Sequence, residues 1–190
     1  MASKVRDKIV AAALDRFHVL GYTAAGVQEI VSTAGVPKGS FYNHFKAKEL
    51  LAREVFDLYM RGARLETLED RAVPPETRLR GHFENMAANY GRMGYDRGCL
   101  VGNLVAEIGP ATPILREAVR TTLTAWTGKI AAVIREGQAA GHFESGQDPD
   151  RLARFLLDGW QGAVIRMKYT EDRTPLDDFL AIAFALLTGR

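Results

Sequence analysis

Two short helical patterns joined by a glycine and a proline constrain this chain more than any other feature. "VQEIVSTAGVPKGSFYNHF" spans residues 27–45. Val27, Ile30, Val31 and Ala34 recur at helical spacing and stop at Gly35. Val36 precedes Pro37, which drives its backbone out of the helical region. A second short helix is then expected from Lys38 to His44. Each helical residue advances about 100°, so Phe41 and Phe45 share one face and Gly39, Ser40 and Asn43 lie on the opposite one. Lys38, Tyr42 and His44 flank that outer face. An aromatic underside, an outer surface of small, polar and cationic groups, and a glycine turn before it describe a helix-turn-helix, whose second helix can enter a major groove.

Each outer residue has a physical task in such a groove. Gly39 lets the backbone approach a duplex closely. Ser40 and Asn43 can exchange hydrogen bonds with base edges, and Lys38 can reach guanine acceptors. Tyr42, His44 and Lys48 suit phosphate oxygens, and Gln28 suits phosphate or a base edge. Phe41 and Phe45 read as core. Residues 1–50 hold seven Lys/Arg against four acids, a net of +3, while the remaining 140 hold 18 against 19, a net of −1. The positive charge therefore lies at the end that carries the helix-turn-helix, which suits a polyanion there.

The rest of the chain also reads as helix. "KIVAAALDRFHVLGY" places Ile9, Val10, Ala13, Leu14, Phe17 and Leu20 on one stripe ending at Gly21. A fourth helix is expected from near Ala47 to about Leu68. Further helices follow at about 76–93, 99–108, 112–140, 149–169 and 175–188, separated by "RAVPPET", "GYDRG", "GPATP" and "GHFESGQDP". No stretch keeps a two-residue period long enough for a sheet. The expectation is an all-α chain of about nine helices, with a DNA-binding domain at 1–47 and a larger domain at 48–190. The longest apolar runs are half the length a bilayer-spanning helix needs, and the first residues do not resemble a signal peptide, so a cytoplasmic location without membrane contact is expected. The single cysteine, Cys99, excludes an internal disulfide and any site of several thiolates. No motif calls for a metal or another cofactor.

The segment "GYTAAGVQEIVSTAGVPKGSFYNHFKAKELL" resembles the DNA-binding signature of the TetR family of transcriptional repressors. The likeness covers about residues 5–55. It departs where Ala25-Gly26 replaces the usual hydroxyl before the second helix, and where Ala47 replaces the usual polar cap of the fourth. The resemblance implies a dimeric repressor that binds a palindromic double-stranded operator and releases it on binding a small effector.

The larger domain offers surfaces for both. "DRLARFLLDGWQGAVIRMKY" and "DDFLAIAFALLTG" lack a clean polar face. They look like the family's dimerising helices, with Phe155, Gly159, Ala163, Phe179 and Phe184 as candidate interface residues. Phe83, Met86 and Tyr90 share one helix face, and Asn103, Trp126 and Gln161 add polar groups to apolar surroundings, as ligand sites do. Cys99 opens a helix beside Arg97, a setting that favours thiolate. "GCLVGNLVAE" also resembles a segment of electrophile-responsive family members. Cys99 therefore joins the effector candidates and sustains an alternative in which its modification releases DNA. An enzyme is not expected, since no phosphate loop, metal-ligand pair or nucleophile elbow is present. A constitutive DNA-binding protein and an enzyme without a recognisable motif remain as lesser alternatives.

Overall fold

A computed structural model describes residues 2–144 and 146–189, apart from the side chains of Ala2 and Ser3. Among the described residues there are nine α-helices and no strand. They are α1 (Ala2–Ala24), α2 (Val27–Ala34), α3 (Lys38–His44), α4 (Lys48–Gly62), α5 (Pro75–Arg92), α6 (Leu100–Glu107), α7 (Pro113–Ala139), α8 (Pro149–Thr170) and α9 (Thr174–Thr188). The expected all-α class holds. The fourth helix is shorter than expected, because Arg64 adopts a left-handed conformation (φ 50°) and a 3-10 turn, Leu65–Glu69, replaces its last turns. No described helix is long and apolar enough to cross a membrane.

The helices form two compact units. The first comprises Met1–Gly62 with Cys99–Thr121, and the second Ala63–Gly98 with Thr122–Arg190. This division differs from the expected boundary at 47/48, since α4, α6 and the first turns of α7 group with the N-terminal helices. Their packing explains why. In the first unit α1 touches α2, α3, α4 and α6, and Ile9, Ala13, Phe17, Ile30, Phe41 and Leu51 are almost wholly buried. At about 25 cal/mol per Å² of apolar surface removed from water, that burial dominates the unit's stability. Leu20, assigned to the same stripe from sequence, is exposed because α1 breaks at Gly21 (φ 81°, ψ 170°).

Polar side chains tie this unit together at helix ends. The Glu107 carboxylate on α6 accepts from the Thr23 N–H at 2.7 Å and fills the space where a Cβ on Gly21 would lie. Gly21 is thus required twice, by its positive φ and by that close approach. Glu49 on α4 accepts from the N–H groups of Ile114 (2.7 Å) and Leu115 (3.1 Å), capping α7 from another helix.

The second unit is built around α5, α7, α8 and α9. Its core holds Leu79, Phe83, Trp126, Trp160, Met167 and Leu176, all nearly inaccessible. Asp148 caps α8 by accepting from the Arg151 N–H at 2.7 Å. Phe143 packs where a Cβ on Gly137 would stand, which closes the end of α7.

Candidate nucleic-acid interface and effector core

α3 has the expected boundaries, because Pro37 pre-sets the turn at its start and Phe45 leaves it in extended conformation (φ −132°, ψ 121°). Phe41 and Phe45 are both buried, with ring centroids 5.8 Å apart, and they hold the helix on α1 and α2. Lys38, Gly39, Tyr42 and Asn43 are exposed, while Ser40 and His44 are half-buried. The Tyr42 ring stands edge-on to Phe41 at 5.2 Å and is 59% exposed, so its base is braced and its hydroxyl is free to reach outward. A Cβ added at Gly39 would meet nothing within 4 Å. Packing therefore gives no reason for a glycine there, although it costs a helix about 1 kcal/mol relative to alanine.

Gln28 lies exposed on α2, its amide within 3.3 Å of the Ser32 hydroxyl. Lys48 departs from the simple picture of a free cation. Its ammonium donates to the carbonyls of Tyr22 (2.8 Å) and Thr23 (3.4 Å) and lies 4.3 Å from the centroid of the Tyr22 ring. Burial lowers its pKa, with the Glu107 carboxylate acting the other way. Lys48 thus satisfies orphan carbonyls at the end of α1, a tie that sequence spacing could not reveal.

The effector candidates divide between the units. Cys99 and Asn103 belong to the first; Phe83, Met86, Tyr90, Trp126 and Gln161 belong to the second. Cys99 is 3% exposed and its sulfur accepts from the Tyr59 hydroxyl at 3.6 Å, so the thiol is enclosed. In the second unit Phe83, Trp160 and Phe179 form an aromatic cluster with centroids 5.1–5.3 Å apart, and Tyr90 lies 6.3 Å from Trp160. The Trp126 indole N–H donates to His82 Nε2 at 3.0 Å, which fixes the tautomer with the proton on Nδ1. Burial pushes the His82 pKa down to about 4, against an opposing pull from Glu66, so the ring is neutral at pH 7. His82 and Trp160 were not singled out from sequence for these roles. The Trp160 indole N–H is buried without a hydrogen-bond partner, a costly arrangement worth about 1–3 kcal/mol.

The candidate dimer residues are also rearranged. Phe155 is 60% exposed and Ala163 half-buried. Phe184, expected at the interface, is instead 2% exposed beneath the Arg80 guanidinium, whose carbon is 4.1 Å from its ring centroid. A Cβ on Gly159 would approach Phe179 to 3.2 Å, so this glycine admits α9 of the same chain. Phe179 is half-buried within the aromatic cluster. The large apolar residues exposed on α8 and α9 are Phe155, Ile165, Tyr169, Ile182 and Leu186. Those on α8 follow helical spacing along one stripe.

Known proteins match this arrangement along nearly its whole length. Residues 9–55 match the model described as bacterial regulatory proteins, tetR family, and residues 75–183 match the tetracyclin repressor-like C-terminal domain. The chain is 37% identical over 186 residues to the HTH-type transcriptional repressor DhaR of Mycobacterium sp. (strain GP1), covering 96% of this chain and 92% of that one. It is 36% identical over 181 residues to the transcriptional regulator AcuR of Cereibacter sphaeroides, covering 94% and 83%. The crystal structure of a regulatory protein TetR from Rhodobacter sphaeroides superposes with a TM-score of 0.87 at 34% identity, covering 95% of this chain and 97% of that one.

Proposed function

The chain belongs to the TetR family of DNA-binding transcriptional regulators, and from that premise we propose that it is a dimeric, ligand-released repressor. α3 reads a palindromic operator, and a small, mainly apolar effector held in the second unit releases it. The observation that carries the DNA-binding part is the outer face of α3. Lys38, Tyr42 and Asn43 stand in solvent, and Gly39 has open space above it where no packing requires a glycine. That combination suits a backbone pressed against a duplex, with Ser40 and Asn43 at base edges and Tyr42, His44 and Gln28 at phosphates. Lys48 serves phosphate contact indirectly, by holding the α1–α2 turn through Tyr22 and Thr23.

One α3 spans only a few base pairs, so specificity requires two. The exposed stripe of Phe155, Ile165 and Tyr169 on α8, with Ile182 and Leu186 on α9, supports a two-fold interface. The name of DhaR supports repression as the outcome, and operator binding implies a cytoplasmic site of action. The neutral His82 and the aromatic cluster favour an uncharged, planar effector over an ion. Its binding would favour a spacing of the two α3 helices that no longer fits successive major grooves, releasing DNA by population shift. Electrophile attack on Cys99 has less support, since the sulfur is enclosed and takes a hydrogen bond from Tyr59.

A mobility shift on the DNA upstream of the chain's own gene tests this reading. Wild type should bind, and Gly39→Leu should fold normally yet lose binding by about 100-fold, roughly the 3 kcal/mol of a good base contact. Equal binding by the two proteins would remove α3 from the interface.

A further inference from the structure

The second unit carries an open groove of about 820 Å³ whose lining includes neither the aromatic cluster nor His82. Its size lies within the roughly 300–1,000 Å³ that small-molecule sites use. The apolar lining is made of Leu68, Ala125, Gly128, Ala132, Val133 and Ala139. Five of these six lie on α7 at helical spacing. A Cβ on Gly128 would meet nothing within 4 Å, so no side chain of the protein occupies the space beside it.

The charged lining is unbalanced: Arg71, Arg78, Lys129 and Arg135 face only Glu69 and Glu136. Lys129 is paired with Glu69, and Arg135 with Asp150 at 3.1 Å. Arg71 is exposed. Arg78 is the unusual member. Its side chain is 3% exposed, and Nη2 donates to Glu136 Oε2 at 2.6 Å. Its Nε–H is buried without an acceptor. A buried guanidinium is retained only when its donors find partners, and one such donor here has none.

We propose that this groove binds a small organic carboxylate with an apolar body. One carboxylate oxygen accepts from Arg78 Nε–H, the surplus charge of Arg71 neutralises the anion, and the body lies along the small residues of α7. A planar carboxylate suits a guanidinium edge, and the apolar floor discriminates against inorganic anions. The site is independent of the effector reading, because it is tested without DNA.

Isothermal titration of the full chain with octanoate, 1-octanol and inorganic phosphate decides the matter. Octanoate should bind saturably, one per chain, while 1-octanol binds at least about tenfold more weakly, the value of one charge-assisted hydrogen bond. Phosphate should neither bind nor compete. Arg78→Lys should weaken octanoate by about tenfold on the same scale, and Arg71→Gln by about threefold, the value of a half-screened charge. Arg71 is exposed, so its variant should keep the wild-type melting temperature and remain informative even where the Arg78 variant unfolds. Absence of saturable octanoate binding, equal affinity for 1-octanol, competition by phosphate, or unchanged affinity in Arg71→Gln would each overturn the assignment.

Discussion

In the first unit Lys38, Tyr42 and Asn43 stand in solvent on α3, whereas in the second His82, Arg78 and Trp126 are buried. Polar contacts tie the helix ends of the first unit, through Glu107 at Thr23, Lys48 at Tyr22 and Glu49 at the start of α7. The second also places polar contacts in its interior, through Trp126 at His82 and Arg78 at Glu136. A duplex presents its charges on the outside, so a surface that meets it needs exposed donors on a rigid helix and no cavity. A unit that is to take up a small molecule needs enclosed polarity, which ties its stability to protonation and to hydrogen bonds that surface residues do not sense. Changes in the two units should therefore have separable readouts.

The largest expected effect crosses that separation. Ile165 and Ile182 are 64% and 71% exposed, and Ile165→Glu with Ile182→Glu should yield a folded monomer by sedimentation. Its operator affinity should fall by about 10³-fold or more, toward non-specific binding, although no residue of the first unit has changed. A variant that stays dimeric would move the interface elsewhere.

Next in size is the acid sensitivity of the second unit. The His82 pKa is lowered from 6.5 to about 4 in the folded state. The unfolded chain therefore binds more protons between those values, and stability is lost as pH falls from about 6.5 toward 4. The shift corresponds to about 3 kcal/mol. Denaturant titrations across this range should show the slope in wild type and a flatter one in His82→Gln. A slope of equal size in both would remove His82 as its cause.

A smaller effect belongs to Trp126→Phe, which keeps the aromatic volume but leaves His82 Nε2 without its donor. The cost should be about 1–2 kcal/mol in a thermal melt, with the affinity of the unliganded protein for DNA nearly unchanged. Smallest is Tyr42→Ala, which should leave the melt unchanged and reduce the slope of log affinity against log salt by about 0.9, one phosphate contact. An altered melt for Tyr42→Ala, or an altered salt slope for Trp126→Phe, would break the separation.

How much of this was legible in the sequence follows the same contrast. The bounds of α3, the burial of Phe41 and Phe45 and the exposure of Asn43 came from spacing, because a short helix between Pro37 and Phe45 has few ways to pack. The membership of α6 in the first unit did not, since an apolar stripe does not name the helix that covers it. Phe184 and Ile182 illustrate the limit on α9. Both are large and apolar, yet the first lies under Arg80 and the second in solvent. A helix apolar on two faces offers no polar reference to tell them apart. Lys48 read as a free cation because its partners are backbone carbonyls 25 and 26 residues away, and carbonyls leave no mark in a sequence.

The central claim is that α3 reads base sequence, and competitive titration against operator and scrambled DNA tests it most directly. Wild type should prefer the operator by about 10³-fold or more. Ser40→Ala with Asn43→Ala should retain the wild-type melt and non-specific affinity while the preference falls by at least about tenfold in each half-site. A double variant that keeps the full preference would contradict the account, because the sequence would then be read by residues outside α3.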